Sequence, residues 1–93
     1  MENIYVFDDG VIRGFIEMNG TQLSKIYVDS FFQSQGVGDA LIRYATEEFG
    51  ADNLWALEKN KRAISFYKNH GFQVTGRKRL EENTTEYLVK LER

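Results

Sequence analysis

The segment Gln33-Ser34-Gln35-Gly36-Val37-Gly38 is where residue type and spacing come closest to chemistry. It follows a strand-like run and opens an amphipathic helix. In the first turn of a helix several backbone N–H groups lack carbonyl partners, and the aligned peptide dipoles add partial positive charge, so that end can hold an anion. Gly36 and Gly38 have no Cβ, which lets a phosphate approach the backbone and permits dihedrals that other residues avoid. A phosphate-bearing ligand fits this turn. An ordinary loop that binds nothing fits it too, and the spacing of two glycines leaves both readings open. Further along, Asn60 can cap a helix that carries Lys61, Arg62, Lys68 and His70. A basic run on a short helix reads first as a solvated face, and His70 near the helix end as a residue that compensates the dipole. Trp55 reads as core.

The elements that must position these groups follow from periodicity. Asn3 to Phe7 and Val11 to Met18 are rich in β-branched and aromatic residues, with the hairpin signal Asp9-Gly10 between them. Asn19-Gly20 repeats the signal before Gln22 to Val28, so three strands form an antiparallel meander. From Gly36 the period becomes helical, with Val37, Ala40, Leu41, Tyr44, Ala45 and Glu48 on one stripe and Gly50 as the stop. Asn53 to Leu57 reads as a central strand. A second helix capped by Asn60 runs to about His70, with Ala63, Ile64, Phe66 and Tyr67 as its apolar surface, and Gly71 ends it. Phe72 to Leu80 and Thr84 to Leu91 form a last hairpin through Glu82-Asn83. The order βββ-α-β-α-ββ defines an α+β fold, a mixed and mainly antiparallel sheet with a helix for each face and a central parallel pair made by the Leu23–Leu57 crossover.

Composition sets limits. At 93 residues, with no Pro and no Cys, residues 1–93 read as one small domain. The net charge of −2 argues against nucleic acid or an anionic membrane as main partner. Without cysteine there are no disulfides and no thiolate metal sites, and no metal is expected. The acidic N-terminus and the lack of a long apolar run predict a soluble, cytoplasmic protein.

Two segments carry a resemblance. IYVDSFFQSQGVGDALI is similar to the acetyl-CoA motif Q/R-x-x-G-x-G/A of the Gcn5-related N-acetyltransferase (GNAT) superfamily, and NKRAISFYKNHGF is similar to its N-x-x-A-x-x-F-Y-x-x-x-G-F segment. Both occur in order and at the family's separation, and the resemblance covers roughly Gly10 to Leu91. It implies an enzyme that moves acetyl from acetyl-CoA to a primary amine, of a small molecule or a peptide, by direct attack in a ternary complex. By the same resemblance, Gln33, Gly36 and Gly38 stand at the motif positions, and the amides of Gln35, Gly36, Val37 and Gly38 hold the CoA pyrophosphate. Ile26, Tyr27 and Val28 lie against the pantetheine arm, with a backbone N–H near Ile26 aimed at the thioester oxygen. Asn60 contacts the cofactor arm, and Tyr67 protonates the departing thiolate. A phenol of pKa about 10 and a thiol near 8.5 make that transfer mildly uphill. Asn60 is also simply a helix cap, and Tyr67 equally a core aromatic.

The chain also departs from the family. Many members carry a glutamate base on the cofactor strand, where Ser24 is the nearest counterpart here. An amine of pKa about 10.4 is only roughly one part in two thousand unprotonated at pH 7, so a route for the proton is needed, and Glu17 and Glu58 are the candidates. Ser30, followed by Phe31 and Phe32, replaces the family's frequent proline. The chain starts at what resembles the family's second strand, which leaves the first strand and two acceptor-side helices without counterparts. Apolar residues on the early strands (Ile4, Val6, Ile12, Phe15, Ile16) are then expected to be open, and to be covered in a homodimer or by a companion polypeptide. A non-catalytic acyl-CoA-binding or interaction module, and a structural fragment that binds nothing, are the alternative readings.

Overall fold

In a computed structural model the described residues are 2–8, 10–29 and 36–93, and they group into two compact units, Met1–Ala51 and Asp52–Arg93. The elements follow the predicted order: β1 (Glu2–Asp8), β2 (Ile12–Asn19), β3 (Gln22–Val28), α1 (Val37–Phe49), β4 (Asn53–Leu57), α2 (Lys61–Lys68), β5 (Gln73–Leu80) and β6 (Tyr87–Glu92). The fold is of the mixed α/β class.

In the first unit β1, β2 and β3 form an antiparallel meander. Gly10 donates its N–H to Asp8 Oδ1 at 2.8 Å in the first turn. Asn19 pairs with Gln22, so the second turn is Gly20–Thr21, one residue later than Asn19-Gly20 predicts. Alternation along β2 puts Gly14, Ile16 and Met18 on the face covered by α1, which packs on β2 and β3 through its buried residues Val37, Leu41, Ile42 and Ala45. Ile42 is wholly buried although it lies off the predicted stripe. The buried positions 37, 41, 42 and 45 make a band about 140° wide, broader than a single row. Tyr5 stacks on Phe49 at 4.2 Å and meets Tyr44 edge-on, which fastens the end of α1 to β1. Gly50, at φ 64°, ends the helix in the left-handed conformation.

Gly14 is a requirement that periodicity does not reveal. A Cβ there would collide with the Tyr27 carbonyl oxygen and press on Leu41 Cδ1 at 3.0 Å. A glycine is needed where two backbones and a helix side chain converge.

In the second unit β6 pairs with both β4 and β5, antiparallel in each case. Leu54, Ala56, Val89 and Leu91 share the buried face, and Ile64 and Phe72 are buried as well. β5 is exposed along its whole length. Three elements are shorter than predicted, β5 by the single residue Phe72. α2 ends at Lys68, because His70 and Gly71 donate to carbonyls three residues back, Tyr67 and Lys68, and so leave the α pattern. β6 begins at Tyr87, not Thr84. The Thr84 hydroxyl bonds the Glu81 carbonyl and receives the Glu86 N–H, drawing those backbone groups into a turn.

Candidate functional site

The first unit supplies the turn into α1. Gly36 is the N-cap, at φ 81° and ψ 3°, with no side-chain cap, and its carbonyl accepts from Ala40 N–H at 3.0 Å. Among the described residues, chain neighbours aside, no atom lies within 4 Å of where a Cβ would stand. The opening turn of α1, which includes Val37 and Gly38, is thus not closed off by a capping side chain of any described residue. Gln33 and Gln35, together with Ser30, Phe31 and Phe32, lie outside the described residues.

β3 leads into that turn. Asp29 donates its N–H to the Arg13 carbonyl at 2.9 Å, so with the observed register Tyr27 is bonded towards β2, and Ile26 and Val28 direct their backbone groups to the other edge of β3. Ile26 and Val28 lie opposite Ile16 and Gly14 on the α1 face, whereas Tyr27 stacks on Phe15 at 5.4 Å on the face away from α1. The register jumps between Glu17↔Lys25 and Met18↔Leu23, leaving Ser24 as the extra residue of a β-bulge. The Ser24 hydroxyl is buried and makes no hydrogen bond to any described residue.

The second unit supplies α2. Asn60 caps it, its Oδ1 accepting from Ala63 N–H at 3.1 Å, which leaves the side-chain amide free to donate. Tyr67 packs edge-on against Phe66 and Phe72, and burial pushes its phenol above the ordinary value. No described residue hydrogen-bonds its hydroxyl. A phenol kept protonated in this way can serve as an acid and cannot serve as a base near neutrality.

The two carboxylates suggested as bases are in different situations. Glu58 is bound to the Lys78 ammonium at 2.5 Å, and that hydrogen bond holds its carboxyl below the usual value, which weakens it as a base. Glu17 lies on β2, opposite Lys25, on the face away from α1. His70 packs on Phe66, and its carbonyl accepts from Arg93 Nε. Of the early apolar residues, Ile4 (61%), Val6 (54%) and Ile12 are exposed and Phe15 is half-buried, but Ile16 is wholly buried because it faces α1. Trp55, read as core, is half-buried and lies beneath two cations, Arg79 at 4.4 Å and Lys90 at 5.6 Å from the ring centre. Neither that cluster nor the Gly14 contact is visible in the periodicity. A lone glycine inside a strand pattern was the available signal for the latter.

A family model described as Acetyltransferase (GNAT) domain matches residues 1–74, and the chain belongs to that family. It is 30% identical over 79 residues to the peptidyl-lysine N-acetyltransferase YjaB of Salmonella typhimurium, covering 85% of this chain and 54% of that protein. The solution structure of apo-form YjaB from Escherichia coli superposes with a TM-score of 0.79 at 27% identity, over 94% of this chain and 60% of that one. A putative streptothricin acetyltransferase from Bacillus anthracis, solved in complex with acetyl coenzyme A, shares the fold with a TM-score of 0.77 at 24% identity, over 97% of this chain and 60% of that one. The chain spans about half the length of the curated relative it matches. Among the described residues no helix is long and apolar enough to cross a membrane.

Proposed function

We propose that the chain transfers acetyl from acetyl-CoA to the primary amine of a peptide or small molecule, in a ternary complex without a covalent enzyme intermediate. The observation that carries this reading is the entry to α1, a left-handed glycine with open space where its side chain would be and no side-chain cap, in a chain that belongs to the GNAT family. The amides of Gln35, Gly36, Val37 and Gly38, with Gln33, hold the pyrophosphate. Ile26, Tyr27 and Val28 lie along the pantetheine arm, with Ile26 and Val28 directing their backbone groups to it from the edge of β3 that faces away from β2, and the Ile26 N–H donates to the thioester oxygen as it gains charge. The amine nitrogen attacks the carbonyl carbon, the C–S bond breaks, the departing thiolate takes the proton of the Tyr67 phenol, and the proton that the acylated nitrogen sheds passes through solvent to restore that phenol. Asn60 donates its side-chain amide to the cofactor arm while its oxygen caps α2.

The reading includes a cytoplasmic setting. It also includes further polypeptide, from a second copy or a companion chain, over the face of the first unit where Ile4, Val6 and Tyr27 stand exposed.

Calorimetric titration with acetyl-CoA tests the reading, run beside a Gly36→Glu variant that sets bulk and negative charge where phosphate is held. Saturable binding by the wild-type chain, lost in the variant, is the expected result. Absence of binding by the folded wild-type chain overturns the reading for this polypeptide. Binding without turnover on any amine leaves a non-catalytic acyl-CoA-binding module.

A further inference from the structure

The face of the second unit opposite its buried residues holds a cluster that the proposed chemistry does not use. Register places Trp55 opposite Lys90, and Arg79 opposite Leu88, all on the side of the sheet away from the buried residues Leu54, Ala56, Val89 and Leu91. Arg79 is on β5 and Trp55 on β4, with β6 between them. The guanidinium must therefore reach across two strand spacings, about 9.5 Å, to lie 4.4 Å from the indole centre. Holding an exposed arginine in one extended conformation costs side-chain entropy, which stacking on the indole offsets in part.

The charge balance around the ring is uneven. Lys90 is largely buried, with a side-chain exposure of 17%, and has the Glu92 carboxylate 3.9 Å away. Neighbouring Lys78 is committed to Glu58. The Arg79 guanidinium has no carboxylate and no hydrogen bond among the described residues. A planar guanidinium that is stacked in place, with its fork of donors unused and a second cation drawn to the same ring, is arranged to receive a carboxylate in a bidentate contact. An incoming carboxylate also relieves the repulsion between two like charges that share one indole.

We propose that Arg79, stacked on Trp55, is a binding point for a peptide carboxylate, so that the chain prefers an acceptor peptide that carries acidic residues. The proposal rests on the acetyltransferase reading for the word acceptor, and the test keeps the two apart. Trp55 is the only tryptophan of the chain, so its fluorescence reports this site directly.

Two synthetic N-acetylated peptides are titrated against the full chain while Trp55 emission is followed. One has a lysine flanked by aspartates, and the other has asparagines in their place. The aspartate peptide is expected to shift the emission saturably, with an affinity that falls as salt is raised, and the asparagine peptide to bind about tenfold more weakly. Arg79→Gln should remove that preference, Arg79→Lys should retain part of it, and Arg79→Glu should turn it towards a lysine-flanked peptide. Circular dichroism on each variant verifies the fold. Equal binding of the two peptides, or an undiminished preference in Arg79→Gln, overturns the proposal. Acetyl-CoA titration of the same samples separates the claims. Acetyl-CoA binding without peptide discrimination overturns the carboxylate site and leaves the acetyltransferase reading standing. Discrimination without acetyl-CoA binding supports the carboxylate site and overturns that reading.

Discussion

α1 and α2 begin in opposite ways. α1 enters through Gly36 in the left-handed conformation with no side-chain cap, whereas α2 enters through Asn60, whose Oδ1 takes the Ala63 N–H. The rest of each helix explains why the chain tolerates the difference. α1 buries Val37, Leu41, Ile42 and Ala45 and is fastened at its far end by Tyr5 and Phe49, so packing secures it and its first-turn donors can be left for a ligand. α2 is eight residues long, buries only Ile64, and opens with Lys61 and Arg62, which oppose its dipole. Its start has to be secured locally, and the Asn60 side chain does so. A helix start is available for binding where burial elsewhere has made a cap dispensable.

That contrast can be broken at several points. The largest expected effect is on the uncapped helix. Gly36→Glu should weaken acetyl-CoA binding by about a hundredfold or more, since like charges brought together cost several kcal/mol. The fold should be retained with a strain of roughly 1–3 kcal/mol from the positive φ, as no neighbour is struck. Denaturation curves beside calorimetry distinguish lost binding from lost structure.

Next is Tyr67→Phe, expected to lower kcat roughly a hundredfold with acetyl-CoA affinity little changed. The pH dependence of stability gives a second reading of the same residue. Because burial raises the folded phenol above its unfolded value, its contribution is fully present below pH ~10 and is lost as pH rises through the folded value. Urea titrations between pH 9 and 11 should therefore show stability falling more steeply in the wild type than in Tyr67→Phe. Equal slopes would mean that the phenol is not desolvated.

Gly14→Ala tests what holds α1 in place. The added methyl meets the Tyr27 carbonyl and Leu41, and overpacking of this kind should destabilise the chain by about 1–3 kcal/mol in urea. An unchanged midpoint would show that the β2, β3 and α1 contact is looser than the structure has it. Asn60→Ala should lose about 1 kcal/mol of stability from the missing cap. If Asn60 also donates to the cofactor arm, acetyl-CoA affinity falls in the same variant, and Asn60→Asp, which caps but offers no amide, separates the roles.

The smallest effect is expected at Glu58. Its pair with Lys78 is open to solvent, so Glu58→Gln should barely move the thermal midpoint at pH 7. Since the folded carboxyl is held low, what little the pair contributes is present above the unfolded value near 4.5 and is lost as pH falls below it. Turnover should also be unaffected. A large fall in kcat in Glu58→Gln would restore this residue as the base.

The order of elements, the Asn60 cap, the Gly50 stop and the β4 boundaries were legible in residue order, because each depends on neighbours within a turn or on the two-residue and 3.6-residue periods. So were the two motifs that carry the family resemblance. Other features depend on residues far apart in the chain. Gly14 is required only because the Tyr27 carbonyl and Leu41 arrive at the same point, and Ser24 is displaced only because β2 and β3 shift register beside it. Ile16 is covered while Ile4 stays open because neighbouring strands bring one to the α1 face and the other to its reverse. Arg79 reaches Trp55 from 24 positions along the chain across an intervening strand, a meeting set by the β4, β6 and β5 pairing. Local composition determines which elements form and which groups they carry, because dihedral preference and periodicity act over a few residues. Which groups meet was decided by strand register and by which face α1 covers, since close approach between distant segments exists only once the sheet is assembled.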